Sequence, residues 1–163
     1  MTDLTLMPLS PADHADMAAL YAFSVANNPQ GFIQKLSFHG DIVETAQNWV
    51  TAGGDMQVAK LGGTLVGMGA LRPVDGTRVE LCKLHLHPDH HGKGLGKTMS
   101  LHLLTRAREL GFKVVELHVT ETQQAAIGLY RRLGFTETKR DVWTTEIDGQ
   151  ALSFPTLYME KAL

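Results

Sequence analysis

The sequence predicts an α/β fold: a mixed, mostly antiparallel sheet of six to seven strands flanked by about four helices, in one domain spanning residues 1–163. Three observations predict it. Turn signals at Gly62-Gly63 and Asp75-Gly76 separate apolar runs and link three antiparallel strands. A glycine-rich loop then joins the third of these strands to a helical pattern and a further β-branched run, and such a crossover makes its two strands parallel. Finally, two long strand-like runs fold back on each other at Asp148-Gly149.

Each element has its own local signal. Thr2 to Leu9 reads as the first strand. Ser10-Pro11-Ala12-Asp13 supplies an N-cap, a proline in the first turn and an acidic third position, so a helix follows to about Ala26. Asn27 to Gly40 contains Asn-Asn-Pro-Gln-Gly and breaks regular structure, leaving Phe32, Phe38 and His39 in a loop. Asp41 to Val50 resumes a helical pattern, with Ile42, Ala46 and Trp49 on related faces. Met56 to Leu61 and Thr64 to Leu71 form a hairpin, and Thr77 to Leu86 adds the next strand. Leu95, Met99, Leu103, Ala107 and Leu110 recur at helical spacing up to a stop at Gly111. Lys113 to Val119 is β-branched, Glu121 to Leu133 is helical and closed by Gly134, and Phe135 to Ile147 pairs with Gln150 to Met159.

Composition narrows the function classes. A chain of 163 residues, 44% hydrophobic, can bury one core and is short for two domains. Its 15 basic and 17 acidic residues leave a formal charge of −2, which argues against broad capture of nucleic acid or an anionic membrane. No early segment joins a basic start to an apolar stretch, and no run approaches the ~18 apolar residues of a membrane span. Cys82 is the single cysteine and lies in an apolar run, so an intramolecular disulfide is impossible and a buried, reduced thiol is expected. The expectation is a soluble, unprocessed, cytoplasmic domain with a small or specific partner.

The most informative segment is PDHHGKGLGKTM, Pro88 to Met99, which sets Gly92, Gly94 and Gly96 between a strand and a helix. Glycine lets an anion approach the backbone, and the first N–H groups of a helix lack internal partners, so the loop suits a diphosphate with Lys93 and Lys97 beside it. The familiar nucleotide loops fit imperfectly. Met99 stands where a dinucleotide loop needs its third glycine, and His91 where a Walker loop needs its first.

Two separated stretches decide between these readings. ELCKLHLHPDHHGKGLGKTM, starting at Glu80, resembles the acyl-CoA motif of the GNAT superfamily of N-acetyltransferases, and QQAAIGLYRRLGF, ending at Phe135, resembles its second motif. The order of elements is also the family's. Gly94 and Gly96 occupy the glycine positions, while His91 stands where glutamine or arginine is usual and Gln123 where asparagine is usual, three before Ala126. The resemblance implies acetyl-CoA as co-substrate, bound by backbone N–H groups of His91, Gly92, Lys93, Gly94, Leu95, Gly96 and Lys97, with Gln123, Ala126 and Tyr130 along its arm. It also implies that the strand ending at Leu86 splays from its parallel neighbour. Backbone groups of Leu84, His85 and Leu86 are then free for the pantetheine arm, and Leu86 N–H is the candidate oxyanion donor.

Acetyl transfer from a thioester to an amine needs a neutral amine, a stabilised oxyanion and a proton for the departing thiolate. By the resemblance, Glu80 is the base and Tyr130 the acid at the sulfur. Otherwise Glu80 is an exposed strand residue and Tyr130 a core-edge packing residue. Cys82 with His85 could form a nucleophile pair, but residues three apart on a regular strand point to opposite faces, so direct transfer in a ternary complex is favoured. His85, His87, His90 and His91 resemble a metal cluster, yet no Cys or acidic residue completes a ligand pattern, and no metal is expected.

The resemblance implies an acceptor met by the early helices, their connecting loop and the late hairpin, here mainly Tyr21, Phe32, Phe38, His39, Trp49 and Trp143, and the sequence has no acidic stretch for a polyamine. The leading reading is an N-acetyltransferase for a small primary amine or amino-acid-like metabolite. A peptide or protein amine is the rival within that chemistry, a non-catalytic acyl-CoA sensor the rival outside it, and acceptor-free thioester hydrolysis a third. The hairpin Arg140 to Glu160, with Trp143, Phe154, Leu157 and Tyr158, could cover a neighbouring sheet edge in a homodimer, and packing within the chain accounts for it equally.

Overall fold

A computed structural model describes residues 3–27 and 39–163. Strand β1 (Leu4–Pro8) leads through a single 3-10 turn, Pro11–Asp13, into helix α1 (His14–Ala26). The turn forms because the Asp13 carboxylate accepts from both the N–H and the hydroxyl of Ser10, at 3.2 and 2.9 Å, and also meets Lys60 Nζ at 2.6 Å. Helix α2 (Ile42–Thr51) starts where the Asp41 side chain accepts from the N–H groups of Val43 and Glu44. Phe32 and Phe38 lie outside the described residues.

Strands β2 (Asp55–Leu61), β3 (Thr64–Pro73) and β4 (Arg78–Leu86) form an antiparallel meander. Helix α3 (Leu95–Glu109) crosses to β5 (Val114–Thr120), helix α4 (Gln124–Arg132) follows, and β6 (Thr136–Ile147) and β7 (Gln150–Ala162) close the chain. The sheet has seven strands in the order β1-β2-β3-β4-β5-β7-β6, with β4 and β5 its one parallel pair among the described residues. Helix α4 is shorter than the sequence predicts, because Glu121 N–H donates to Pro155 O on β7 and so ties the segment before the helix to the sheet.

The helices cover the sheet in two layers. Leu103, Leu104, Ile127 and Tyr130 from α3 and α4 pack on Leu71, Leu81, Val115 and Leu117, while Met17, Tyr21, Ile42 and Ala46 from α1 and α2 pack on Met56, Met68 and Ala70. A buried polar tether fastens the far end of α3 to β2. Arg106 Nε donates to Asp55 at 2.7 Å, Gln57 Nε2 donates to the same carboxylate at 2.9 Å, and His102 Nε2 lies 2.8 Å from Gln57 Oε1.

The parallel pair ends early. Arg78, Val79 and Glu80 pair with Val114, Val115 and Glu116, after which β4 follows β3 and β5 follows β7, so the sheet opens between them. A bulge accompanies this divergence. Ala70 faces Cys82 and Met68 faces His85, so Lys83 and Leu84 together oppose Gly69, and Lys83 adopts φ 53°. Glycine at 69 leaves room for α3, since a Cβ there would come within 2.7 Å of Leu103 Cδ1 and push that side chain aside.

Leu103 is fully buried between α3 and the bulged strands. Leu103→Ala should lower the unfolding free energy by about 3 kcal/mol, read from the shift in denaturant midpoint at unchanged slope.

Candidate active site

Beyond Leu86 the chain makes a 3-10 turn, Pro88–His90, and enters α3 through Gly92 and Gly94, at φ 75° and 78°. Gly94 is the N-cap and no side chain caps the helix, so its first N–H groups face outward. They border a cavity of about 950 Å³, walled on one side by Gly92, Gly94, Leu95, Gly96 and Lys97 and on the other by Gln123, Ala126, Leu129 and Arg132. Lys93 is exposed and does not line it. The helix dipole and the flanking cations make this wall suited to an anion.

His91 does not simply take the place of a ligand-facing glutamine: its Nε2 lies 2.9 Å from Leu86 O and ties the loop to the strand end. Leu86 pairs with Gly67, and His87 N–H donates to Val66 O at 2.8 Å. Antiparallel alternation therefore aims the Leu86 N–H away from β3, toward the opening, and turns the backbone groups of His85 toward Met68. Of the three residues expected to offer backbone groups, His85 is committed to the β3 ladder and the Leu86 carbonyl is engaged by His91. Leu86 N–H faces the gap.

A second cavity, of about 640 Å³, lies between β4, β5 and the β6–β7 hairpin. Glu80, Arg72 and Lys83 supply its charged residues, with His118 beside Glu80, and Trp49, Trp143, Phe154 and Tyr158 its aromatic ones. His39 also lines it, while Tyr21 is buried beneath. Leu84, His85, Gln123, Ala126 and Tyr130 line both cavities, so the two meet where β4 and β5 part. Gln123 stands at the N-cap of α4 with its backbone N–H donating to Thr120 O, and its side chain makes no capping bond.

Glu80 is the last residue of β4 paired with β5 and is 7% exposed, buried rather than solvent-facing. Arg72 Nε donates to its Oε2 at 2.7 Å and His118 Nε2 meets its Oε1 at 3.0 Å. Burial pushes its carboxyl upward, but the hydrogen bonds from His118 and Arg72 outweigh that and hold the pKa below the ordinary value. Tyr130 is equally buried, and desolvation raises its phenol to about 12. His85, edge-on to Tyr21 at 5.2 Å, is pushed down to about 3 by burial and by the Lys83 charge, and so is neutral at any ordinary pH.

The bulge corrects one expectation. Cys82 and His85 oppose Ala70 and Met68, two residues of one face, so both side chains lie on that same face despite their spacing of three. Cys82 still makes no nucleophile, because burial, with Glu80 adding to it, pushes its thiol up to about 12. His87 stacks on Phe23 at 5.8 Å and meets the His90 ring edge-on at 6.0 Å, and no three metal-ligating side chains cluster among the described residues.

Sequence reading missed Arg72 and His118. The first was accessible, because the turn set by Asp75, which accepts from Thr77 and Arg78 N–H groups, places Arg72 directly opposite Glu80. The second was not, since no local turn fixes the register of a parallel strand.

Comparison with known proteins bears on the family and the fold. The model of the acetyltransferase (GNAT) family matches residues 27–135. An uncharacterized N-acetyltransferase of Escherichia coli, YjgM, is 38% identical over 81 residues, 48% of each chain. Mouse N-acetyltransferase 8 is 28% identical over 145 residues, covering 83% of this chain and 63% of its own length. The chain thus spans about half to under two thirds of these curated relatives. Among solved structures, the acetyltransferase yncA of Salmonella typhimurium with acetyl-CoA superposes at a TM-score of 0.83 with 21% identity, over 98% of this chain and 94% of that one. The phosphinothricin acetyltransferase of Sinorhizobium meliloti with acetyl-CoA gives 0.82 with 23% identity, over 98% and 88%. No helix among the described residues is long and apolar enough to cross a membrane.

The depressed pKa of Glu80 ties stability to pH. Its folded value lies below the unfolded value of 4.5, so its contribution is complete above pH 4.5 and is lost as pH falls through the folded value. Unfolding free energies measured by denaturant from pH 7 to pH 3 should fall for wild type below about 4.5 and fall less steeply for Glu80→Gln.

Proposed function

Because the chain belongs to the acetyltransferase (GNAT) family, we propose that it transfers an acetyl group from acetyl-CoA to the primary amine of a small, amino-acid-like acceptor, directly in a ternary complex. The observation that carries this is the meeting of two cavities at Tyr130, one walled by uncapped helix N–H groups and the other by a buried carboxylate.

In this reading the N–H groups at Gly92 to Lys97 hold the diphosphate, and Gln123 and Ala126 hold the arm that leads to the opening. Leu86 N–H donates to the thioester oxygen, on which negative charge develops as the amine attacks. Glu80, kept ionised by Arg72 and His118, takes the amine proton directly or through a water. A carboxylate of lowered pKa is a weak base, so its larger role is to orient the amine. His118, whose side chain is 57% exposed, offers the proton a way out to solvent. Tyr130 gives its proton to the thiolate as the C–S bond breaks, and the phenolate so formed, which burial disfavours, regains a proton in exchange for the one released by the amine to Glu80 and solvent.

The test is acceptor-dependent release of free CoA from acetyl-CoA with a panel of small amines and peptides, after subtraction of acceptor-free hydrolysis. Tyr130→Phe should lower kcat by roughly 10²-fold, within the span of a general acid, while calorimetric acetyl-CoA affinity stays within about twofold. Absence of acetyl-CoA binding by the wild type would overturn the reading. Turnover confined to peptides would move the acceptor to a protein amine.

A further inference from the structure

Lys83 is built into the acceptor cavity at the expense of its own backbone. Among the described residues only Lys83 and Asp148 are non-glycine residues with positive φ, both at 53°. Asp148 sits in a hairpin turn of the kind that favours such a conformation, beside Gly149. Lys83 sits in a strand, at the bulge, and an unbranched long side chain gains nothing locally in the left-handed region. Outliers of this sort persist where the surrounding structure and the site require them.

The bulge turns the Lys83 side chain toward α1, where Nζ donates to Tyr21 Oη at 2.9 Å and stands 5.1 Å from the centre of the Tyr21 ring. That bond uses one of three N–H donors. The other strong cation of the cavity, Arg72, is committed to Glu80, as is His118. Among the described residues Lys83 has no carboxylate within ion-pair distance, and its charge is felt in the cavity by His85. The cavity therefore presents a paired anion at Glu80 and an ammonium with donors to spare three residues along the same strand, a separation of at most ~10 Å between the two backbones.

We infer that Lys83 anchors the acceptor by a carboxylate: the amine that this enzyme acetylates belongs to a molecule of amino-acid size, with its amino group toward Glu80 and its carboxylate on Lys83 Nζ. This rests on the acetyltransferase reading above and narrows it from amines in general to zwitterions. Trp49, Trp143, Phe154 and Tyr158, which also line the cavity, receive the rest of the molecule, so an apolar or aromatic side chain suits it better than a second charge.

The experiment measures kcat and KM with the full chain for free L-amino acids, for the carboxamide of each, and for dipeptides that carry the same amino-terminal residue. Wild type should prefer the acid over its amide by roughly tenfold or more in kcat/KM, the worth of a hydrogen bond to a charged group. Lys83→Asn, which keeps a residue at ease with positive φ, should erase that preference through KM, with kcat and calorimetric acetyl-CoA affinity within about twofold of wild type. Lys83→Arg should restore at least part of it. Equal use of acids and amides by wild type, or a loss in Lys83→Asn that falls equally on both, would overturn the inference and leave the transferase reading standing. Efficient use of dipeptides in place of amino acids would place the anchored carboxylate elsewhere and also overturn it. No acceptor-dependent turnover anywhere in the panel would remove the transferase reading and this inference together.

Discussion

Everything at the site depends on a parallel strand pair that stops after Glu80 and Glu116. A continuous β4–β5 ladder would satisfy the backbone of both strands and close the sheet, leaving two unconnected surfaces. Here β3 holds β4 and β7 holds β5 to their full lengths, so each strand keeps one ladder while their facing edges are released. Unpaired backbone groups inside a protein are costly. The structure tolerates them because they border open cavities, where water or a ligand can take the place of the missing strand.

The opening also sorts the charges around it. Burial drives His85 and Tyr130 toward their neutral forms, whereas Glu80, buried to a similar degree, is kept ionised by Arg72 and His118. Neutral groups therefore line the junction of the two cavities, and the charge is concentrated at the apex of the split. A reaction that creates and then discharges an anion benefits from such an arrangement, since fixed dipoles rather than mobile water face the developing charge.

Much of this was legible in the sequence, for identifiable reasons. Turn residues at Gly62-Gly63, Asp75-Gly76 and Asp148-Gly149 fix hairpin registers, and the strand, loop, helix, strand order forces a parallel crossover. What escaped is what depends on departures from regularity. The bulge at Lys83 and Leu84 shifts every side chain after it by one face, so a period of two carried from Glu80 to His85 gives the wrong side. The pairing of Glu80 with His118 joins two strands whose register is set by packing across α3, which no local motif encodes.

The tether of α3 has a dynamic consequence. Arg106 and His102 pin the end of the helix remote from the glycine loop to Asp55 and Gln57 through polar bonds, whereas the first turn has no side-chain cap and is held by the apolar packing of Leu95 and Met99. The helix is thus a strut clamped at one end. Local opening of its amides should be rare in the clamped turns and frequent in the first one, a gradient along a single helix that amide hydrogen exchange resolves residue by residue. Such a gradient leaves the glycine loop the more yielding end while the core behind it keeps its packing.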